Sequence, residues 1–531
     1  MTWPFTIDQV IWLLIGVGVL LRTVQYGLNI SLWIDEAFIS LNIINRSFLE
    51  LLQPLDYRQG APYGFLLLEK LAVSLLGTQE WVLRLVPFLA GVTSLWLFRS
   101  VALALVSPAT AAIALGLFVF SDRLIYFSAE VKQYSTDVAV ALLLYWVIIR
   151  GLDKPLRWQR AVGIALLGAI ALWFSHPAVF ALAGIGLTLV IRAIQQQGRA
   201  DLQKYIAIFT VWLSSFVGFY WITLRPLTQN EALQNSFGQK HGAFMPLPTS
   251  LESLNWYVEN FLGFFNDPVG IPAVALAACF FVVGLCALWR SRPLTMALLL
   301  MPIGLTLLAS GLQQYPFKAR LILFLVPFAI LILAEGARLM AAQLAAHQRF
   351  IGALLIVALF FQPVHYAVNN LRNPAFITDD SSYQRVREHF RPVIAYLQDN
   401  RQPGDVIYIY YAAQYAFRYY LEQFDFEDLI QGESVWPEAN SDWFEPALPS
   451  YPPQLIVGAY ARGDWSVFQS ELEAIKGNSR VWVLLTHVRD RRSSIDEEDI
   501  FLHLLDQAGV QKDTFSDVES YAYLYDLSSS G

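Results

Sequence analysis

Residues 273–289, AVALAACFFVVGLCALW, form an unbroken apolar run that ends just before Arg290. A helix needs about 20 mostly apolar residues to cross the hydrocarbon core of a bilayer. Similar runs occur at 10–21 (VIWLLIGVGVLL) and 138–149 (VAVALLLYWVII). Of the 531 residues 56% are hydrophobic and 15% are charged, which leaves too little polar surface for a soluble domain of this size. We therefore predict a polytopic α-helical membrane protein.

The apolar runs predict about eleven transmembrane helices. They lie near 9–28, 80–99, 107–121, 134–150, 160–174, 177–193, 205–224, 269–289, 294–311, 320–338 and 350–366. The first run has no basic segment before it and no small-residue cleavage site after it, so we interpret it as a retained helix.

Basic residues in the connecting loops predict the orientation. They fall in alternate loops, which therefore share one side of the membrane: Arg150, Lys154, Arg157, Arg160, Arg192, Arg199, Lys204, Arg290, Arg292, Arg338 and Arg349. The positive-inside rule makes that side cytoplasmic. We expect a cytoplasmic N-terminus and an extracytoplasmic segment after about residue 367.

The sequence divides into two predicted domains. Residues 1–366 form the transmembrane domain, including a first external loop, 29–79, in which 38–52 and 64–77 have the apolar spacing of helices lying at the membrane interface. Residues 367–531 alternate apolar strands with helical stretches, which predicts a small extracytoplasmic α/β domain with a largely parallel sheet. The predicted strands are DVIYIYY (405–411), QLIVGAY (454–460), RVWVLLTH (480–487) and SYAYLYDL (520–527). Without a glycine-rich phosphate loop, this domain is predicted to serve in recognition or capping.

Charge and cysteine content exclude several classes of function. The formal net charge is −7 and no clustered basic face is evident, which argues against a nucleic-acid partner. Cys279 and Cys286 are the two cysteines and lie two turns apart on one predicted helix, where packing is the simplest role. The sequence shows no metal-ligand spacing, so we expect no cofactor, although a divalent metal stays open.

The first stretch that suggests chemistry is SLWIDEAF, residues 31–38, in which Asp35 and Glu36 directly follow the first transmembrane helix. A carboxylate placed where the bilayer meets water can accept the proton of an attacking hydroxyl, and nearby cations keep it ionised. The alternative is a structural one, in which Asp35 caps a helix beginning near Ala37.

The second stretch is FSAEVKQYSTDV, residues 127–138, before the fourth predicted transmembrane helix. Glu130, Tyr134 and Asp137 are spaced i, i+4 and i+7 and share a face if the segment is helical, whereas Lys132 points elsewhere. The alternative is an ordinary polar turn. A charged carboxylate at the bilayer boundary is nevertheless costly unless it has a polar partner or binds a substrate. This favours a functional role for Asp137.

The third stretch is QQYPFKARLILFLVPF, residues 313–328, in which Lys318 and Arg320 enter an apolar helix from the external side. A guanidinium can bind phosphate with two hydrogen bonds, and a lysine adds a point charge. The alternative is that both residues hold the helix at the interface together with Tyr315.

These acids and bases all fall at the predicted external ends of helices, as do Arg22 and Arg84. Such a set suits a lipid-linked phosphate whose tail stays in the membrane, because cations stabilise a leaving phosphate while a carboxylate activates the incoming hydroxyl. One alternative is a transporter or flippase for a lipid-linked saccharide, which would have polar or broken helices near the midplane. Another is a scaffold without activity.

Four stretches carry a family resemblance: WIDEAF (33–38), YRQGAPYGFLLLEKL (57–71), FSAEVKQYSTDV (127–138) and YPFKARLILFLVP (315–327). They resemble the bacterial membrane glycosyltransferases of the GT-C superfamily that are related to protein mannosyltransferases and aminoarabinose transferases, the family 39/83 type. The resemblance covers roughly residues 10–345.

The resemblance implies a GT-C fold in the bacterial inner membrane and an inverting transfer of a sugar from a polyprenyl-phosphate donor to a hydroxyl of a glycan, lipid or protein acceptor. It implies that Asp35 is the catalytic base beside Glu36, that Glu130 or Asp137 is a second acidic residue, and that Arg320 binds the lipid phosphate. Aminoarabinose transferases have a Lys-Pro-Pro element in the first loop, where this chain has Gly60-Ala61-Pro62-Tyr63. Contact with the donor phosphate there would fall to Arg58 or Lys132.

Overall fold

The computed structural model describes residues 6–151, 156–195, 199–229, 235, 237–238, 242–347, 349–372, 376–377, 385–386, 388–421, 423–424, 426, 429, 454–459, 465–488 and 497–528. The chain forms two compact units. The first comprises Met1–Leu28, Ala61–Leu75 and Leu83–Arg372, and the second comprises Asn29–Gly60, Leu76–Val82 and Asn373–Gly531. The second unit therefore combines most of the first external loop with the C-terminal segment.

The described residues are mostly helical. In chain order the α-helices are α1 (Ile7–Gly27), α2 (Ile34–Asn45), α3 (Tyr63–Leu76), α4 (Glu80–Leu83), α5 (Leu85–Leu105), α6 (Pro108–Phe120), α7 (Asp122–Tyr126), α8 (Tyr134–Ile149), α9 (Trp158–Phe174), α10 (Ala178–Gln195), α11 (Arg199–Phe219), α12 (Arg225–Thr228), α13 (Leu251–Asn266), α14 (Val274–Ser291), α15 (Pro293–Gly311), α16 (Val326–His347), α17 (Arg349–Arg372), α18 (Phe390–Asn400), α19 (Gln414–Leu421), α20 (Trp465–Ile475) and α21 (Glu497–Ala508).

In the described part of the chain, seven helical segments are long and apolar enough to cross a membrane. The bent pair Pro108–Phe120 and Asp122–Ala129, which turns by 57°, provides an eighth if it counts as one span. Three shorter apolar helices, α8, α9 and α10, complete the set. Each predicted crossing coincides with one of these helices, and the chain is a polytopic α-helical membrane protein.

Several helix boundaries differ from the sequence prediction, among them the starts of the second and tenth crossings. The second crossing, predicted at 80–99, begins at Leu85, because the short helix α4 ends at Leu83 and Arg84 lies at the start of α5. The tenth crossing, predicted at 320–338, opens as a 3-10 helix, Ala319–Leu325, and becomes α-helical only from Val326.

The surface of the first unit is apolar where a soluble protein would be polar. Large side chains such as Trp96 (62% exposed), Leu213 (63%) and Phe361 (67%) lie on the outside of the helices. Polar and charged residues such as Arg22 and Glu130 are buried instead. This inversion is stable only when lipid tails cover the apolar surface.

Helices α14 and α16 pack at very close range through a pair of glycines. A Cβ atom on Gly284 would lie 1.9 Å from the carbonyl oxygen of Ile332, and one on Gly336 would lie 1.9 Å from that of Phe280. The missing side chains let the two backbones touch, which is a common way for membrane helices to associate.

The first external loop is helical at both predicted segments. Segment 38–52 contains most of α2 and a 3-10 turn, Glu50–Leu52, and segment 64–77 contains most of α3. A second 3-10 turn, Asp56–Arg58, lies between them. Their placement at a membrane interface stays a prediction.

The second unit contains two sheets. A small antiparallel one joins β1 (Phe376–Ile377) and β2 (Arg385–Val386). A five-stranded one has the order β4-β3-β5-β7-β6, with β3 (Val406–Ile409), β4 (Leu455–Val457), β5 (Val481–Thr486), β6 (Val510–Asp517) and β7 (Ser520–Asp526). The central strand β5 is buried along its whole length, as its unbroken apolar sequence predicts.

The larger sheet is mixed, so the prediction of a largely parallel sheet was wrong. β3 pairs in parallel with β4 and β5, whereas β7 pairs antiparallel with β5 and β6. The sequence reading missed β6, VQKDTFSD, whose side chains are exposed or half-buried. An edge strand of this kind lacks the apolar alternation that identifies a strand.

Candidate active site

The predicted site residues fall into two groups, one in each compact unit. Asp35, Glu36 and Arg58 belong to the second unit. The first unit contains the larger group, Glu130, Lys132, Tyr134, Asp137, Lys318 and Arg320. That the two groups serve one substrate stays a prediction, and each is described in its own unit.

Asp35 and Glu36 lie in the first turn of α2. The helix begins at Ile34, with Trp33 at the N-cap position and no side-chain cap, so Asp35 is not the capping residue of a helix starting near Ala37. Glu36 is fully buried and Asp35 is half-buried. The N-terminal end of a helix favours ionised carboxylates, which suits a base that must stay unprotonated until the acceptor arrives.

Arg58 follows a tightly held turn in the same unit. Arg46 Nη2 lies 3.0 Å from Asp56 Oδ1, and the Asn42 side chain accepts a hydrogen bond of 2.9 Å from the backbone N–H of Asp56. These contacts connect the turn to α2, the helix of Asp35. The half-buried Arg58 therefore follows a turn that is bonded to the helix of Asp35.

Glu130 does not share a helix with Tyr134 and Asp137, so that part of the prediction was wrong. Its backbone is extended (φ −129°, ψ 139°), and α8 begins only at Tyr134. Glu130 is fully buried and accepts a hydrogen bond of 3.2 Å from the Tyr126 hydroxyl. Lys132 is also buried, with 4% of its surface exposed. A buried acid and a buried base therefore lie two residues apart in a short non-helical segment.

A second cluster in the first unit combines residues from α8 with two turns. The Arg320 guanidinium lies 5.5 Å from the centre of the Tyr134 ring. Asp137, one turn further along α8, is close to the Tyr315 hydroxyl and to Ser175 in the α9–α10 turn. Apart from their contact with each other, neither the Ser175 hydroxyl nor Asp137 Oδ1 has a hydrogen-bond partner among the described residues. Buried polar atoms of this kind call for a partner from outside the protein, such as water or substrate.

Tyr315 contributes a neutral hydroxyl to this cluster. Burial raises the pKa of its hydroxyl well above the ordinary value, and the neighbouring Asp137 and Tyr134 raise that pKa further. The hydroxyl donates to the carbonyl oxygen of Leu321 at 2.7 Å, which fixes the 3-10 segment containing Arg320. Lys318, in contrast, is exposed. Arg320 is thus held by the fold, whereas Lys318 is available only as a surface charge.

Two buried polar residues of the first unit, Ser175 and Glu69, had no assigned role in the sequence prediction of the site. Ser175 gave no signal because a serine in a turn between helices is ordinary. Glu69 is fully buried, and neither carboxylate oxygen has a partner in the described ranges. Glu69 and Arg84 both act electrostatically on the Tyr26 hydroxyl. An acid inside the apolar stretch GFLLLEKL was the available signal for Glu69.

An apolar cavity lies between α9, α10 and α11 of the same unit. Its volume is about 330 Å³, and it is lined by side chains such as Leu182, Phe209 and Phe216. Leu172 and Val179, which flank the turn containing Ser175, also line it. Among the described residues no three His, Cys, Asp or Glu side chains are grouped so as to hold a metal ion.

No protein-family model and no curated protein sequence matches the chain. The crystal structure of ArnT from Cupriavidus metallidurans in the apo state matches 97% of this chain and 97% of that chain, at 12% identity and a TM-score of 0.52. ArnT bound to undecaprenyl phosphate matches over 96% and 97%, at 12% identity and a TM-score of 0.54. The apo oligosaccharyltransferase of Archaeoglobus fulgidus matches 97% of this chain and 74% of its own, at 11% identity, but its TM-score of 0.49 is too low to support an argument. At such identities the likeness concerns the fold alone, and this chain has the GT-C fold that the sequence motifs implied.

Proposed function

We propose that this protein is an inverting glycosyltransferase that moves a sugar from a polyprenyl-phosphate donor to an acceptor hydroxyl on the extracytoplasmic face. The carrying observation is the cluster of Tyr134, Asp137, Tyr315 and Arg320, in which a cation and an acid lie at one end of a bundle of apolar helices. Charges in such a bundle are costly and persist where a polar substrate needs them. The shared fold with ArnT, whose crystal structure contains undecaprenyl phosphate, supports the same class of donor.

In the proposed reaction, Asp35 accepts the proton of the acceptor hydroxyl as its oxygen attacks the anomeric carbon of the donor sugar. The bond between that carbon and the phosphate oxygen breaks, and the phosphate leaves with the electron pair. Single displacement from the opposite side inverts the anomeric configuration. Glu36 supports the charge and position of Asp35, and positioning of this kind accounts for much of the rate gain in such reactions.

Cations stabilise the leaving phosphate in this proposal, because negative charge develops on its oxygens in the transition state. Arg320 is the principal ligand, held over the Tyr134 ring, and Arg58 and Lys132 add charge. Lys318, which is exposed, guides the headgroup toward the membrane surface. Asp137 or Glu130 accepts hydrogen bonds from the donor sugar, and the cavity between α9, α10 and α11 offers apolar surface to an isoprenoid chain.

Replacing Asp35 by Asn tests the assignment of the base. Transfer should fall by at least about 100-fold, since a general base contributes roughly 10²–10⁴-fold. Donor affinity should change little, because the amide keeps the size of the carboxylate. Radiolabel transfer by purified protein measures the first quantity, and equilibrium binding of the labelled donor measures the second.

Asp8→Asn is the matched control, because Asp8 also lies in the first turn of a helix and is exposed beside Arg99. Transfer by Asp35→Asn at the wild-type rate would reject Asp35 as the base. Movement of intact donor across vesicles containing the wild-type protein, without cleavage, would favour the flippase instead.

A further inference from the structure

The turn that precedes the proposed phosphate ligand Arg58 is strained. Tyr57 and Arg58 are adjacent non-glycine residues with left-handed backbones, at φ 59° and φ 52°. Each such residue costs on the order of 1–3 kcal/mol and persists only where its surroundings impose the conformation. The Asp56 contacts with Arg46 and Asn42 hold the start of the turn. Asp56 and Arg46 also act electrostatically on the Tyr57 hydroxyl, but the ring and hydroxyl contacts of Tyr57 come from other residues as well.

The Tyr57 side chain is held by α19, a helix more than 350 residues further along the chain. Its ring lies 5.0 Å from the Tyr415 ring and 5.4 Å from the Phe38 ring of α2, and Phe38 lies 4.5 Å from Tyr415. Arg418 Nη1 donates a hydrogen bond of 2.9 Å to the Tyr57 hydroxyl. Only 5% of Tyr57 is exposed, and the Phe38 and Tyr415 rings and the Arg418 guanidinium fix its side chain from two helices.

The same part of the C-terminal segment also binds the two ends of the loop that contains Asp35 and Arg58. The Tyr420 hydroxyl accepts a hydrogen bond of 3.0 Å from the backbone N–H of Leu32 and donates one of 3.0 Å to Glu80. Arg391 Nη1 lies 2.9 Å from Glu80, and its backbone N–H donates to the Ser31 hydroxyl at 2.9 Å. Buried contacts of this density leave the loop little freedom to move relative to α19.

We propose that Tyr415 and Arg418 are positioning residues, which act through Tyr57 to place the Arg58 guanidinium on the phosphate of the lipid-linked donor. The inference rests on the proposed function and gives the C-terminal α/β segment a part in donor binding. Tyr57 transmits the constraint, because its backbone conformation fixes the direction in which the chain enters Arg58. Releasing Tyr57 allows the turn to relax and moves the guanidinium off the phosphate.

Arg418→Ala tests this proposal. The KM for the polyprenyl-phosphate donor should rise about tenfold, the effect of losing a charge-assisted hydrogen bond, while kcat stays within about threefold. Arg418→Lys should recover part of the affinity, since a lysine can still donate to the hydroxyl. Hydrogen exchange of residues 46–60 should become faster in Arg418→Ala without any substrate present.

The matched control is Arg480→Ala, which removes an ion pair with Asp405 at 2.8 Å in the same unit. Among the described residues Arg480 contacts Asp405 and Asn400 and makes no hydrogen bond or ion pair with the loop. This variant should therefore keep the wild-type donor KM and the wild-type exchange of residues 46–60. Equal increases in KM for Arg418→Ala and Arg480→Ala would mean that the effect is a general loss of stability, which would overturn the proposal.

A double-mutant cycle with Arg58→Ala tests whether Arg418 changes the donor KM through Arg58. If Arg418 acts through Arg58, then Arg418→Ala should add less than twofold to the donor KM of Arg58→Ala. Additive tenfold effects would overturn the proposed route. A wild-type protein that cleaves no donor would instead reject the proposed function, whereas wild-type turnover with an unchanged KM in Arg418→Ala would reject only the positioning role.

Discussion

Glu69 places a carboxyl group on the buried face of α3, in a stretch that is otherwise apolar. Burial raises the pKa of Glu69 well above its ordinary value of 4.5, because desolvation disfavours the charged form. Glu69 acts electrostatically on the Tyr26 hydroxyl, as does the Arg84 guanidinium, which is itself buried. The folded protein therefore holds Glu69 protonated over a pH range in which the unfolded chain has released that proton.

Glu69→Gln should stabilise the protein at alkaline pH. Because the pKa of Glu69 is higher in the folded protein than in the unfolded chain, the free energy of unfolding is not reduced by Glu69 below about pH 4.5. It falls as the pH rises from there toward the folded-state pKa, because the unfolded chain releases the proton first. The amide has no proton to lose, so the Tm of the variant should exceed that of wild type by roughly 2 °C or more at pH 8, and the difference should shrink toward pH 4.5. Thermal unfolding in detergent at both pH values measures this. A variant with lower Tm at pH 8 would indicate that the folded protein holds an ionised, paired Glu69.

Residue types and spacing identified the acids and bases but not their local geometry. Asp35 was predicted as a base or as a helix cap, and the helix start at Ile34 removes the second reading. Glu130 shares a helical face with Asp137 only if the segment is helical, and its extended backbone shows that it is not. Ser175 carried no signal at all. Periodicity gives the face of a residue only after the helix boundary is known, and boundaries are where sequence reading is weakest.

At the scale of elements, the α14–α16 contact depends on the absence of side chains at Gly284 and Gly336. Gly284→Val should force the two helices apart, because its Cβ would collide with a backbone carbonyl that cannot rotate away. We expect a loss of about 3 kcal/mol or more, seen as a lower Tm and a smaller monodisperse fraction in size-exclusion chromatography. Gly163→Val is the matched control, because no atom lies within 4 Å of a Cβ at Gly163 in α9. Equal losses in both variants would contradict the close-packing interpretation.

The sequence predicts whether a segment is a helix or a strand wherever the segment is apolar along its whole length. The transmembrane helices followed from apolar length, and β5 followed from an unbroken apolar run, since both must satisfy their backbone groups internally. The edge strand β6 was not predictable, because its polar side chains face solvent. The antiparallel pairings of β7 with β5 and with β6 make the sheet mixed where a parallel one was expected. Strand direction depends on connections that a single sequence does not reveal.

At the scale of the whole molecule, the sequence motifs implied the GT-C fold and the comparison with ArnT shows it. The division into units was less predictable. The proposed boundary after residue 366 stays a prediction, while Asn29–Gly60 groups with the C-terminal segment in the second unit. That grouping depends on contacts between residues more than 300 positions apart, such as those of Tyr57 and Tyr420. Sequence-local patterns contain no information about them.

The most direct measurement follows the fate of labelled donors. Purified wild-type protein and the Asp35→Asn variant are incubated with a panel of radiolabelled polyprenyl-phosphate sugars and with glycan, lipid and peptide acceptors. At least one donor should be converted by wild type to free polyprenyl phosphate and a product of inverted anomeric configuration, with conversion by the variant at least about 100-fold slower. Every donor remaining intact with wild-type protein, across all acceptors, would contradict glycosyl transfer as the function.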